Sequence, residues 1–207
     1  ARPEKMSLEL LETMKEAGCY ELHYGVESPV PHILAEMKKG ITPHHIESVL
    51  ENTRKAGIRS QVDLICAFPT ETKRDFIHSM RWLYHNRDLF NNVLLNRFSL
   101  ASSTEMFRNP QLYGMTYSPL YDGSDISHIG LYRWESAHIR GDTGLFRYFV
   151  ITLLASELGK LRQHTIPVSR YEDFSHYILE EIHNLRIKGL YENVYDRMFE
   201  RYTREVA

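Results

Sequence analysis

The fold is decided by residues 62–72, which read Val62-Asp63-Leu64-Ile65-Cys66-Ala67-Phe68-Pro69-Thr70-Glu71-Thr72. An apolar run of strand length opens this stretch, a short turn follows it, and an amphipathic helix pattern begins at Thr72. Strand-like and helix-like segments alternate in the same way through the first half of the chain. Alternation at these lengths predicts βαβ units, and therefore a parallel sheet with helices packed against it.

Three strand candidates occur in this half, at residues 20–24, 58–68 and 93–98. Ser7 and Thr42 are predicted N-caps of the helices that precede and separate them. Right-handed crossovers place the three strands side by side in sequence order. Three strands cannot close a barrel, so the sheet either keeps an open edge or is completed by residues outside this chain.

The second half of the chain has a different pattern. Gly, Ser, Asp, Pro and Tyr dominate from about Ser99 to Gly141, which predicts irregular backbone. A wide apolar helix face begins at Thr143, and two further helices are predicted after Pro167. We therefore divide the chain into an α/β half, residues 1–117, and an irregular strap with a helical extension, residues 118–207.

The composition is that of a globular protein, since 43 % of the 207 residues are apolar and 25 % are charged. A formal net charge of -2 gives no basic footprint, so nucleic acid is not an expected partner. No membrane is expected either, because the densest apolar stretch, residues 145–158, is short and contains Arg147 and Glu157. Cys19 and Cys66 form no Cys-x-x-Cys pair, so reduced thiols and a cytoplasmic location are expected.

Ligands of parallel α/β folds bind at the carboxyl ends of the strands, and two such ends carry polar residues here. The first reads Gly25-Val26-Glu27-Ser28-Pro29. Gly25 permits a ligand to approach the backbone closely, and Glu27 and Ser28 can form hydrogen bonds with it. The structural alternative makes Ser28 a helix N-cap and leaves Glu27 merely solvated.

The second strand end carries Asp63, an acid within an apolar run. A buried charge is costly, so Asp63 either faces a site or has a structural partner. Phe68 and Pro69 offer an apolar wall to a flat aromatic ligand. Glu71 either belongs to this site or caps the helix that follows, where the helix dipole favours a carboxylate.

Six short blocks, in order, resemble the second half of the radical S-adenosylmethionine (SAM) enzyme core. They are Glu16-Ala17-Gly18-Cys19, Gly25-Val26-Glu27-Ser28, Met37-Lys38-Lys39-Gly40-Ile41-Thr42, Arg54-Lys55-Ala56-Gly57-Ile58, Phe68-Pro69-Thr70-Glu71-Thr72 and Asn109-Pro110-Gln111-Leu112-Tyr113-Gly114. Their spacing is similar to the branch that contains methylthiotransferases, anaerobic coproporphyrinogen oxidase and cobalamin-binding radical SAM enzymes. The resemblance implies an α/β fold, the C-terminal half of a (β/α)₆ partial TIM barrel, followed by the helical extension.

The resemblance also implies a site for SAM on the first strand end. Glu27 stands where the family's fourth-strand acid or amide contacts SAM, and Gly25 and Ser28 adjoin it. Lys39 matches the basic residue after the following helix, which meets the methionine carboxylate. A carboxylate and a lysine form charge-assisted hydrogen bonds of this kind.

On the second strand end, the resemblance assigns Asp63 to the ribose hydroxyls. Ile65, Ala67 and Phe68 lie in the segment that lines the adenine. Glu71 is the acid of the family's Gly-x-Ile-x-Gly-x-x-Glu pattern. This sequence departs from that pattern, because Asp63 and Ala67 stand in place of its glycines and Glu71 lies one residue beyond the spacing of its acid.

The sequence contains no Cys-x-x-x-Cys-x-x-Cys, the family motif whose three thiolates hold a [4Fe–4S] cluster. With two cysteines, the chain by itself is expected neither to bind the cluster nor to cleave SAM. The strands that carry the motif would precede Arg2, and a start without Met or a signal peptide indicates a processed protein or a piece of a longer one. The Arg2-Pro3 start and the Gly-Val-Glu-Ser block also resemble the cobalamin-binding branch, which leaves cobalamin open as a further cofactor.

With the missing half-barrel as its partner, the resemblance implies that the enzyme cleaves SAM to a 5′-deoxyadenosyl radical. That radical would abstract a hydrogen atom from a small-molecule substrate or natural product. The alternative function is a non-catalytic, cluster-less module. Such a module would bind a nucleotide, or would associate with itself or another protein through its open sheet edge.

Overall fold

A computed structural model describes residue 3 and residues 6–119, 131–140 and 143–160. In chain order its elements are α1 (Leu8–Glu16), β1 (Glu21–Glu27), α2 (Pro31–Glu36), α3 (Pro43–Lys55), β2 (Arg59–Cys66), α4 (Lys73–His85), β3 (Asn92–Arg97), β4 (Leu100–Ala101), α5 (Glu105–Arg108), a 3₁₀-helix (Pro110–Tyr113), β5 (Met115–Pro119), β6 (Leu131–Ser136) and α6 (Thr143–Glu157).

Strands β1, β2 and β3 form a parallel sheet in that order, with α3 connecting the first pair and α4 the second. The predicted α/β class and strand order are therefore confirmed. The first strand is longer than its pattern predicts, because it continues past Gly25 to Glu27 through a register shift. Gly25 does not end the strand, since Val26 beyond it is fully buried against the helices.

The helix starts follow the predicted caps. Ser7 Oγ accepts a hydrogen bond from Leu10 N, and Thr42 Oγ1 accepts one from His45 N. At α4, Thr72 and Asp75 form a reciprocal capping box, in which each side chain accepts from the other residue's backbone N–H. Local side-chain chemistry therefore sets where these helices begin.

The two faces of the parallel sheet differ in chemistry. One face packs against the helices, and its strand residues are buried and mostly apolar: Tyr24, Val26, Val62, Leu64, Cys66, Val93 and Leu95. The other face, here called the polar face, carries Glu21, His23, Gly25, Gln61, Asp63, Ile65, Asn92 and Leu94. Because strand side chains alternate between faces, one register determines both sets.

A second sheet lies beyond β3, in the segment that the sequence predicts to be irregular. It is antiparallel with the order β4-β6-β5. Its strands pack aromatic rings and Met115 onto a cluster that includes Val30, Ile33 and Phe68. The sequence did not indicate this sheet because β4 is two residues long and most of β5 is exposed, so no apolar alternation marks it.

Helix α6 returns along β3 and α4, as the apolar face after Thr143 predicts. Val150, Ile151, Leu154 and Ala155 are buried in this contact. At its end, Lys160 O accepts a hydrogen bond of 2.7 Å from Val93 N at the start of β3. The strands β4, β5 and β6 are therefore an insertion between β3 and the helix that packs against it.

The helices predicted after Pro167 lie outside the described residues, and the division of the chain at residue 117 stays a prediction. Within the described ranges, no helix combines the length and the apolar character needed to cross a membrane.

The core contains one polar contact whose contribution to stability can be measured. Tyr24 Oη lies 2.7 Å from Thr53 Oγ1, which donates to Val49 O. Tyr24→Phe should lower the free energy of unfolding by about 1 kcal/mol, because it removes one buried hydrogen bond and leaves the Thr53 donor satisfied. Urea unfolding followed by circular dichroism measures the change.

The matched control is Tyr20→Phe, since Tyr20 is 72 % exposed. This variant should unfold within about 0.5 kcal/mol of the wild type. Equal destabilisation by the two substitutions would show that the Tyr24–Thr53 contact does not stabilise the fold.

Candidate functional site

The carboxyl end of β1 holds an ion pair next to a glycine. Lys39 Nζ donates to Glu27 Oε1 at 2.7 Å, and both side chains are partly buried. A Cβ at Gly25 would stand 2.9 Å from Glu27 Oε1 and 3.6 Å from Lys39 Nζ. The missing side chain therefore makes room for the charged pair directly over the strand.

Backbone strain concentrates at the same place. Among the described residues, the non-glycine positions with positive φ are Glu27 (62°), Lys38 (54°) and Ala67 (58°). Glu27 is the last residue of β1, Ala67 directly follows the neighbouring strand β2, and Lys38 directly precedes Lys39 of the ion pair. Left-handed backbone costs about 1 kcal/mol or more for a residue with a Cβ, and such positions cluster at functional sites. Local packing therefore maintains costly conformations around this strand edge.

Asp63 lies beside this ion pair on the polar face, because its Cα pairs with that of Gly25 across the sheet. Its Oδ1 accepts a hydrogen bond of 2.7 Å from Gln61 Nε2. The same Gln61 nitrogen lies 3.3 Å from His23 Nδ1, deeper in the sheet. The sequence left two alternatives for Asp63, a place at a site or a structural partner. In the structure Asp63 has both, because it pairs with Gln61 and lies beside the predicted site.

The remaining predicted residues of the strand ends fall into two groups. Ile65 is half-buried on the polar face, whereas Phe68 is buried in the cluster under the second sheet, with its ring edge-on to Phe98. Ser28 is buried as well, and its Oγ accepts from Val30 N. The helix N-cap alternative for Ser28 is wrong, because α2 begins at Pro31 with Val30 as its N-cap.

Glu71 is bound inside the protein and does not cap α4, whose N-cap is Thr72. Its Oε2 accepts from Ala67 N at 3.1 Å and from Arg147 Nη1 at 2.9 Å. The side chains of Glu71 and Arg147 are only 2 % and 4 % exposed. Burial raises the pKa of Glu71 to about 7, although the Arg147 guanidinium opposes that shift.

Two residues that reach this turn were not identified from the sequence. In the sequence, Arg147 is visible only as a charge that interrupts an apolar stretch, and no pattern marks Ser136. In the structure, Ser136 Oγ donates to Pro69 O at 2.5 Å from the end of β6. A charge on an otherwise apolar helix face is a signal of a buried partner, but it does not identify that partner.

The described residues contain no group of three or more His, Cys, Asp or Glu that could hold a metal ion. Cys66 is buried on the helix-facing side of β2, and burial raises the pKa of its thiol. Two cysteines cannot supply three thiolates. The residues of this chain therefore do not fit a three-thiolate iron–sulfur cluster.

The raised pKa of Glu71 has a consequence for stability. Its folded-state pKa of about 7 exceeds the ordinary value, so the folded state holds this proton more tightly than the unfolded state does. The free energy of unfolding should therefore fall as pH rises through the window between the two values. From pH 5 to pH 8, the wild type should lose about 1–3 kcal/mol relative to Glu71→Gln, as urea unfolding measures.

Glu12→Gln is the matched control for this titration, because it neutralises an exposed carboxylate. Its unfolding free energy should follow that of the wild type with pH. Parallel pH dependences of the wild type and Glu71→Gln would contradict a raised pKa at Glu71.

Comparison with known proteins gives a family match for the first part of the chain. Residues 2–83 match the model of the Radical SAM superfamily. An uncharacterised methyltransferase of Pyrococcus horikoshii is 32 % identical over 75 residues, which are 36 % of this chain and 16 % of that protein. The tRNA-2-methylthio-N(6)-dimethylallyladenosine synthase of Shewanella putrefaciens is 40 % identical over 62 residues, 29 % of this chain and 13 % of that protein. The matches thus span only a small part of these relatives.

Solved structures support the same assignment at the level of the fold. The radical SAM methyltransferase TsrM from Kitasatospora setae, with cobalamin and a [4Fe–4S] cluster bound, aligns with a TM-score of 0.56 and 15 % identity over 72 % of this chain and 34 % of that chain. The same enzyme with tryptophan substrate and a SAM analogue aligns with a TM-score of 0.55 and 14 % identity over 80 % and 37 %. These structures support a partial-barrel α/β fold, and the family match places residues 2–83 within the Radical SAM superfamily model.

Proposed function

We propose that this chain supplies the SAM-contacting half of a radical SAM enzyme that acts on a small molecule. The observation that carries the proposal is the convergence of three features at one strand edge. These are the Glu27–Lys39 ion pair, the Asp63 carboxylate and the left-handed turn at Ala67. The family match covers all of them.

The charges at this edge suit the methionine end of SAM, which carries a carboxylate and an ammonium group. Lys39 would pair with the carboxylate, and Glu27 would accept hydrogen bonds from ammonium or hydroxyl groups. The space above Gly25 lets both charged groups lie against the strand. Because Glu27 and Lys39 already neutralise each other, a ligand of balanced charge can replace their contact without leaving a buried charge unpaired.

The nucleoside end of SAM would lie along β2. One carboxylate oxygen of Asp63 accepts a hydrogen bond from Gln61. The other oxygen would accept hydrogen bonds from the ribose hydroxyls. Ile65, half-buried on the polar face, would provide an apolar contact for adenine. The side chains of Ala67 and Phe68 are buried inside the protein, so the wall predicted at Phe68 is not offered to a ligand. Ser28 would act indirectly, because its hydroxyl holds the chain as it leaves β1.

When SAM is bound to its cluster, it supplies a 5′-deoxyadenosyl radical for hydrogen abstraction. The contribution of this chain would be to orient SAM and to exclude water from the strand edge. The cluster thiolates would come from a preceding half-barrel. The division at residue 117 and a cytoplasmic location belong to the same proposal.

The substrate class and a role for cobalamin are proposed by analogy with TsrM, whose structures hold tryptophan and cobalamin. Although the Shewanella relative is named for a tRNA modification, the formal net charge of -2 argues against a nucleic-acid surface here. A small molecule is therefore the preferred substrate class.

The first test is to read the coding sequence directly upstream of Ala1. An in-frame Cys-x-x-x-Cys-x-x-Cys segment is the expected result, and activity should then be sought in the longer protein. A start codon at this point without that motif would contradict the catalytic proposal. The alternative of a cluster-less module that binds a nucleotide or a protein would then be favoured.

The second test separates the two ends of the ligand in the longest open reading frame that contains this chain. Asp63→Asn and Glu27→Ala should each weaken SAM binding by about 1–3 kcal/mol, because each removes charge-assisted hydrogen bonds. Lys39→Met should weaken SAM but not methylthioadenosine, which lacks the methionine carboxylate. Asp63→Asn should weaken both ligands. Isothermal titration calorimetry measures these affinities.

Glu51→Gln is the control, since this exposed carboxylate pairs only with Lys55 on the outer surface of α3 among the contacts described. It should bind both ligands as the wild type does. Unchanged SAM affinity in both Asp63→Asn and Glu27→Ala would refute the site assignment. Equal effects of Lys39→Met on the two ligands would refute the role of Lys39 alone.

A further inference from the structure

The turn after β2 has a conformation that its own residues do not favour. Ala67 has a φ of 58°, in the region where glycine is the usual residue. Its N–H donates to the Glu71 carboxylate, and Glu71 N donates to Phe68 O at 2.8 Å. The carboxylate thus closes the turn on itself. The conformation of Ala67 therefore depends on where the Glu71 side chain is held.

Arg147 on α6 holds that side chain from outside the turn. Its Nη1 donates to Glu71 Oε2 at 2.9 Å and to Glu71 O at 2.6 Å, and its guanidinium lies 5.6 Å from the centre of the Phe76 ring. One donor thereby fixes both the carboxylate and the backbone of Glu71. The contact joins residues 76 positions apart in the chain.

The start of α6 also approaches the other end of the turn. A Cβ at Gly144 would stand 3.3 Å from Ala67 Cβ and 3.3 Å from Ile139 Cγ2. That separation is tighter than most side-chain contacts, so glycine at this position allows the helix to pack against Ala67. Helix α6 therefore contacts the turn at Ala67 and at Glu71.

Stability alone is a weak reason for a buried ion pair at this position. Replacing such a pair with apolar residues is often neutral or stabilising, because both charges must be desolvated. Here part of the free-energy cost of desolvating Arg147 is not offset, because its Nε is buried and has no hydrogen-bond partner among the described residues. Helix α6 is also anchored independently by Val150, Ile151 and Leu154. What the pair adds is a defined conformation of residues 67–71.

We propose that Arg147 is a positioning residue, which acts through Glu71 to hold the buried turn at residues 67–71 and, through it, the end of β2 at Asp63 and Ile65 in the conformation that receives the nucleoside end of SAM. The inference rests on the proposed function, because it assumes that the nucleoside lies along the end of β2. It adds that α6, which follows the inserted second sheet, is required for binding the nucleoside end of the ligand. The methionine end, at Glu27 and Lys39, does not depend on it.

The experiment compares Arg147→Met with Arg147→Lys in the longest open reading frame that contains this chain. Calorimetry gives the affinities for SAM and methylthioadenosine, and hydrogen–deuterium exchange reports the Ala67 and Glu71 amides. Arg147→Met should weaken both ligands equally, by about tenfold, and should speed exchange at these amides. Arg147→Lys should recover part of both losses, because an ammonium can still donate to Glu71. Arg54→Met, at an exposed arginine of α3, should change neither readout.

Each failure has a distinct signature. A wild type that binds neither ligand contradicts the proposed function. A wild type that binds both, with Arg147→Met binding equally well, overturns the positioning role. If Arg147→Met does not fold, the double variant Glu71→Gln with Arg147→Met removes both charges together. It should fold and show the same weaker binding and faster exchange, and wild-type affinity in the double variant would overturn the inference.

Discussion

The carboxylate of Glu71 and the guanidinium of Arg147 are both withdrawn from water, and each needs the other. Their contact connects the turn after β2 to α6, and thus connects the parallel sheet to the helix that follows the inserted second sheet. Burial raises the pKa of Glu71 to about 7, so the charge of Glu71 in this contact depends on pH near neutrality. The left-handed conformation of Ala67 is maintained by the same carboxylate. Geometry at the strand edge therefore depends on a group supplied from far along the chain.

The position of the candidate site follows from the difference between the apolar, helix-facing side of the parallel sheet and its polar face. Apolar side chains on the helix-facing side fix the register, and that register places Gly25 beside Asp63 on the polar face. Strain at Glu27 and Ala67 then appears at two neighbouring strand ends, after the register shift in β1 and one residue beyond β2. A rigid sheet thus supports a small region whose backbone is set by specific polar contacts.

The strand edge carries the Glu27–Lys39 ion pair and Asp63, the contacts proposed above for SAM. The two cysteines, in contrast, do not match the three thiolates of a radical SAM cluster. The second sheet adds a further layer, because Ser136 on β6 donates to Pro69 O in the turn after β2. Segments after the third strand therefore contribute to a site that the first three strands define. The family match covers residues 2–83, whereas contacts with the turn after β2 come from as far along the chain as Arg147.

The sequence by itself determined the features that arise from local patterns. The order of strands and helices, the caps at Ser7 and Thr42, and the residue blocks shared with radical SAM enzymes can all be read within short windows. Tertiary structure alone decided that Glu71 pairs with Arg147 instead of capping α4, that Ser28 holds the chain before α2, and that β4, β5 and β6 form a sheet. The physical reason is that periodicity and capping are encoded by neighbours along the chain. A charged residue within an apolar pattern indicates only that it needs a partner, and the identity of that partner depends on how the helices and strands pack.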